Sequence, residues 1–86
     1  MSISIFSADN CAGCKVVKSV LENNNIPFEI KDIMDSDVME EAYALGIRAI
    51  PVTAFYGKGG ELPIDIVCGS SNDAVALILE IAKEYK

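Results

Sequence analysis

The chain has 86 residues, 51% of them apolar, with seven basic against thirteen acidic side chains, no histidine and a formal charge of −6. Its length is read as one domain spanning residues 1–86 with a modest core, and its acidity sets it against nucleic-acid backbones and anionic membranes as partners, since both repel it at long range. No apolar run approaches the roughly 18 residues that span a bilayer, and the N-terminus lacks the basic, apolar and small-residue succession of a secretory signal, so the cytoplasm is expected; a monomer is expected too.

Ile3 to Phe6 read as a first strand, followed by the polar loop Ser7-Ala8-Asp9-Asn10, in which Asp9 and Asn10 can cap the next helix. From Ala12, Val16, Val17, Val20 and Leu21 recur at helical spacing. Lys15, Lys18, Ser19 and Glu22 mark the wetter side, and Asn23-Asn24-Asn25 the stop. Ile26 to Ile33 read as a second strand, with Pro27 near its start. Asp35-Ser36-Asp37 offer caps for a second helix with an apolar stripe of Val38, Met39, Ala42 and Leu45, and Gly46 is its expected end.

Val52 to Tyr56 and Glu61 to Cys68 read as a hairpin about Gly57-Lys58-Gly59-Gly60, and Pro63 predicts that the returning strand lies at an edge. Ser71, Asn72 and Asp73 can cap a last helix whose Val75, Leu77, Ile78, Ile81 and Ala82 are expected against the sheet. Tyr43, Phe55 and Tyr56 are read as core or sheet-face aromatics, and Cys68 as a buried free thiol. The order β-α-β-α-β-β-α predicts an α/β fold: a four-stranded mixed sheet flanked by three helices.

The chemistry is concentrated in Cys11-Ala12-Gly13-Cys14, at the junction of the first strand and first helix. A thiol at the first turn of a helix meets unpaired backbone N–H groups and the positive end of the peptide dipoles, both of which favour thiolate. Three cysteines are too few and too odd in number for a stapled secreted scaffold. Half of a zinc site is the other use of such a pair, but no histidine or second CxxC accompanies it, and Cys68 is the one further sulfur; no metal site is expected.

With the CxxC after the first strand, Ile50-Pro51 before the third, and Gly69-Ser70-Ser71-Asn72-Asp73 before the last helix, the chain resembles a glutaredoxin of the thioredoxin fold over essentially its whole length. It is most similar to small bacterial or phage glutaredoxins and to the glutaredoxin-like redoxins that feed electrons to ribonucleotide reductase. The resemblance implies a glutathione-dependent dithiol–disulfide oxidoreductase of cell redox homeostasis, reducing protein disulfides or glutathione mixed disulfides. No bound cofactor is expected, and glutathione is the reductant. Cys11, on the solvent side, is then the nucleophile, and Cys14, one turn inward, resolves the mixed disulfide.

A proline that opens a strand is ordinarily trans. The resemblance implies instead a cis Ile50–Pro51 peptide opposite the CxxC, with the Ile50 backbone free to pair with a thiol-bearing peptide. It also aligns Gly69 and Ser70 with a pair of glycines, and assigns Asn72 and Asp73 to the γ-glutamyl end of glutathione. On the residues alone these two are a helix cap. Arg48 is either a partner for a glutathione carboxylate or a solvated surface arginine.

Two departures stand out. Ala12-Gly13 replaces the Pro-Tyr of many glutaredoxins, and Asp9 lies where a lysine often precedes the first cysteine. These keep two other readings open: a ribonucleotide-reductase-type redoxin recharged by thioredoxin reductase, and a glutaredoxin that binds an iron-sulfur cluster through Cys11 and glutathione. Against the first, Val67-Cys68-Gly69-Ser70 stands where those redoxins carry a Trp-Ser-Gly-Phe-type segment.

Overall fold

Strand β3 (Val52–Tyr56) buries all five of its residues, the mark of a strand covered on both faces. It lies between β1 (Ser2–Ser7) and β4 (Pro63–Cys68), antiparallel to each, while β1 pairs in parallel with β2 (Glu29–Asp32). The sheet order is β2-β1-β3-β4, so β4 is an edge strand as Pro63 predicts. A parallel pair needs a crossover, and α1 (Ala12–Asn23) supplies it. With α2 (Ser36–Ala44) and α3 (Asn72–Glu84), the expected element order is complete. The computed structural model describes residues 2–60 and 62–84; Glu61, the expected start of the returning strand, lies outside the described residues.

Alternation along the strands sorts the interior into two layers. Ile3, Ile5, Phe55 and Val67 pack with Val17 and Leu21 of α1 and with Ala74, Ile78 and Ala82 of α3. On the other face Phe6, Val52, Ala54 and Tyr56 meet Ala42 of α2, bordered by Val38, Leu45, Ile47 and Ile50. Each fully buried large side chain, such as Phe6 or Phe55, contributes roughly 1.5–3 kcal/mol through burial.

Five expectations are corrected. β2 is four residues rather than eight, because Ile26 is still turning off α1: its N–H donates to the Leu21 carbonyl at 2.9 Å, and Asn25 sits at φ +56°. Helix α3 buries a narrow stripe of every fourth residue and leaves Leu77 46% exposed. Tyr43 is 84% exposed on the outer side of α2 rather than in the core, and Met39, expected in the apolar stripe, is 53% exposed on the same side. Cys68 is also exposed. By alternation it shares the α2 face of the sheet with Ile64 and Ile66, which are exposed too, because the nine-residue α2 packs on β2 and does not extend over β4.

α2 is tied down at both ends. Asp35 caps it, accepting the Asp37 N–H at 2.9 Å. Near its C-terminus, both Glu41 carboxylate oxygens lie 2.8 Å from Lys31 Nζ on β2, and the Tyr56 hydroxyl donates to Glu41 at 3.4 Å. Lys31 Nζ also sits 5.6 Å and 5.4 Å from the ring centroids of Phe6 and Tyr56. Burial opposes the Lys31 charge, yet the Glu41 hydrogen bond and the surrounding negative charge outweigh it and hold its pKa above the ordinary 10.5. Burial lifts the Tyr56 phenol above 10.0, against the pull of Lys31.

A raised lysine pKa stabilises the fold fully below 10.5 and loses that contribution as pH climbs through the folded value; a raised tyrosine pKa acts in the same direction. Lys31→Met is therefore expected to cost about 1–2 kcal/mol at neutral pH, as a half-buried pair losing one partner. The wild-type urea midpoint should stay flat to about pH 10 and fall beyond it, less steeply in the variant. Among the described residues, the buried Thr53 hydroxyl has no hydrogen-bond partner. Thr53→Val should raise stability by about 1 kcal/mol in urea denaturation, and a lower midpoint would show that the hydroxyl is satisfied.

Candidate active site

Cys11 is itself the N-cap of α1, in extended conformation at φ −108° and ψ 106°, and its sulfur accepts the Cys14 N–H at 3.1 Å. Neither Asp9 nor Asn10 caps the helix: the turn runs one residue further, so a sulfur occupies the place where a serine or aspartate oxygen commonly sits. An otherwise unpaired donor of the first helical turn thus points at the sulfur that has to carry negative charge. Cys14 is fully buried and joined to Cys11 in a disulfide, with the Cα atoms 5.2 Å apart. Cys11 is partly exposed, so it is the member of the pair that a substrate can reach.

The second segment is the loop after α2. The Ile50–Pro51 peptide is cis, as the resemblance implies, and Pro51 is buried. The Pro51 carbonyl accepts the Gly69 N–H at 2.9 Å, fastening this loop to the turn between β4 and α3. Gly69 holds φ +92°, a region that strains any residue with a Cβ. A Cβ placed on Gly13 would lie 2.5 Å from Ser70 Oγ and 3.1 Å from Pro51 Cδ. The CxxC turn, the proline loop and the 69–70 turn therefore converge on one point. Ser70 fills the space over Gly13 at a position the family resemblance aligns with a glycine.

Arg48, Ile50, Pro51 and Gly69 line one open depression of about 440 Å³, together with Ile66 and Cys68. Arg48 is exposed at its side. Asn72 and Asp73 are exposed at the start of α3 and do not line this depression; the capping role falls to Ser71, whose hydroxyl accepts the Ala74 N–H at 3.2 Å. The places of Ile66 and Cys68 beside the proline loop escaped the sequence reading. The signal for them is strand pairing, since Cys68 is the register partner of Val52, one residue past Pro51. Among the described residues, no group of three or more His, Cys, Asp or Glu side chains is placed to hold a metal ion.

A glutaredoxin family model matches residues 3–59, which contain the CxxC and the cis-proline loop. The chain belongs to the glutaredoxin family. Its members are thiol–disulfide oxidoreductases of thioredoxin-like fold, and this glutaredoxin-family chain shares that fold with solved structures. It is similar to NrdH-redoxin from Escherichia coli, a glutaredoxin-like protein with a thioredoxin-like activity profile, at 24% identity and a TM-score of 0.71, covering 91% of this chain and 95% of that one. It is also similar to a mutant thioredoxin from Halobacterium salinarum NRC-1, at 19% identity and a TM-score of 0.74, covering 98% of this chain and 73% of that one.

A curated relative is the SPbeta prophage-derived thioredoxin-like protein YosR of Bacillus subtilis strain 168. It is 38% identical over 52 residues, which are 60% of this chain and 62% of the relative, so the match spans about three fifths of that protein's length.

The contact between Gly13 and Ser70 makes a testable pair. Gly13→Ala is expected to cost about 1–3 kcal/mol through overpacking, since Pro51 cannot rotate away. Adding Ser70→Gly should recover about half of the loss, and a double-mutant cycle in urea that shows simple additivity would refute the coupling.

Proposed function

We propose that this protein reduces disulfides of protein substrates through Cys11 and Cys14 and receives its electrons from a protein reductase of the thioredoxin reductase type. The observation that carries the reading is the placement of Cys11 at the helix N-cap with Cys14 buried one turn behind it. In the reduced protein, the Cys11 thiolate attacks one sulfur of a substrate disulfide; a mixed disulfide forms and the first substrate thiolate leaves. Cys14 then loses its proton and attacks the Cys11 sulfur. The second substrate thiolate departs, both leaving thiolates take up protons, and two electrons have passed to the substrate. The product is the oxidised pair seen here, which a dithiol reductase returns to the thiol form.

The charge around Cys11 supports a protein donor over a small anionic one. Asp9, two residues before Cys11, and Asp73 at the start of α3 are exposed, Lys15 and Lys18 follow Cys11 on α1, Arg48 is exposed on the proline loop, and the chain carries −6 overall. The depression beside the proline is lined mainly by backbone and aliphatic side chains. A second reading, glutathione as donor, is favoured by Arg48 in that same depression and by Asp73 at the open start of α3. There Arg48 would meet a glutathione carboxylate and Asp73 its ammonium group.

Recharging of the oxidised protein by thioredoxin reductase with NADPH, side by side with glutathione and glutathione reductase, separates the two. The protein reductase is expected to be faster by about tenfold or more in kcat/KM, and the reverse order would transfer the assignment to glutathione. Cys11→Ser should abolish all disulfide reduction, so activity surviving that change would sink both readings. Cys14→Ser should lose protein-disulfide turnover and accumulate a mixed disulfide through Cys11, visible by mass spectrometry.

A further inference from the structure

The outer side of α2 is an apolar surface with an acidic border. Met39 and Tyr43, one turn apart, are 53% and 84% exposed, and Met34 just before the helix is 73% exposed. Met39 and Tyr43 line two adjoining depressions. One, of about 170 Å³, runs between α2 and the proline loop past Ala42, Ile47 and the exposed Arg48 to Ile50. The other, of about 450 Å³, lies along the outer side of the helix, where Asp37 and Glu40 border it. Ile50 also belongs to the depression beside Pro51. A largely apolar track, with Arg48 at its loop end, thus leads from the residue before the cis proline, over Ile47, to Tyr43 and Met39, and ends among carboxylates.

Tyrosine and methionine are enriched in the cores of protein interfaces, and methionine adapts its shape to varied partners. Glu41, by contrast, is turned to the sheet and engaged with Lys31. The helix carries no lysine or arginine, and Arg48, the cation that lines the track, lies at its proline-loop end, so the outer end beside Asp37 and Glu40 is acidic.

Resting on the protein-disulfide reading above, we infer that this track is the docking surface for the substrate's own chain: an extended segment beside its reactive cysteine, bearing an apolar anchor for Met39 and Tyr43 and, beyond it, a lysine or arginine facing Asp37 and Glu40. The occupant follows from two features. The track is continuous with the loop at which the substrate cysteine is exchanged, and its far end is complementary to cationic charge. Selectivity among disulfides is then set at a distance from the reacting sulfurs. It combines an apolar contact that salt does not weaken with a charge contact that salt screens.

The test uses symmetric disulfides of synthetic peptides with one cysteine each. A Leu and a Lys are placed about four to six residues away, a reach of roughly 13–20 Å in extended chain. One peptide carries them on the N-terminal side and another on the C-terminal side, and matched peptides carry Ser and Glu instead. Hydroxyethyl disulfide, which has no flanking chain, reports on the underlying chemistry.

The wild type is expected to reduce the Leu–Lys peptide of one polarity with a kcat/KM about tenfold above its Ser–Glu counterpart, the difference lying mainly in KM. Met39→Ser/Tyr43→Ser should reduce that ratio to about threefold or less. Asp37→Asn/Glu40→Gln should remove the salt-sensitive part of the ratio alone. Equal rates on all peptides while the small disulfide is turned over, or a ratio that survives Met39→Ser/Tyr43→Ser, would overturn the docking inference and leave the redox reading standing. Failure of the wild type on both peptides and small disulfide would overturn the redox reading, and the docking inference with it.

Discussion

The hydrogen bond from the Cys14 N–H to the Cys11 sulfur is the interaction on which the site depends, because it makes the reactive sulfur part of the helix terminus. It can form only if α1 begins at Ala12 and if Cys14 is held beneath Cys11. Both conditions come from packing. Cys14 is buried, and Val17 and Leu21, on the same side of the helix, are anchored in the layer shared with α3. The electrostatic device at the surface is therefore held by apolar contacts one and two turns further along the helix.

The same principle of local chemistry held by distant packing applies to the proline loop. Its position is set from one side by α2, which Lys31, Glu41 and Tyr56 fasten to the sheet, and from the other by the hydrogen bond between Pro51 and Gly69. Gly13 and Ser70 close the remaining gap. The helix is too short to cover the whole sheet, and the uncovered strip leaves Ile64, Ile66 and Cys68 in solvent beside the site. Incomplete cover on this face thus produces the open depression next to Pro51, while α1 and α3 bury the larger of the two apolar layers on the other face.

Periodicity carried far in this chain where one element's face met one partner. The element order, the extents of α1 and β3, the edge position of β4 and the cysteine pair at the strand–helix junction were all legible from spacing and punctuation. Reading failed where an apolar residue had no covering element. Tyr43 and Leu77 have the spacing of buried residues, and Cys68 follows Ile66 and Val67 as a core residue would, yet all three are exposed. The start of β2 was misplaced for a related reason: Ile26 has a strand-like neighbourhood but stays bonded to the end of α1.

The amino-acid sequence by itself determined which segments are helix or strand and that two thiols lie one helical turn apart, since these follow from local sterics, capping and the fixed pitch of the helix. Tertiary structure alone decided that Cys11 rather than Asp9 or Asn10 is the cap, that Pro51 and Ser70 close over Gly13, and that the outer side of α2 stays bare. Each of these depends on which surfaces of distant segments come to face one another. That outcome is settled by the order of the strands and by which of them each helix packs on, not by any single stretch of chain.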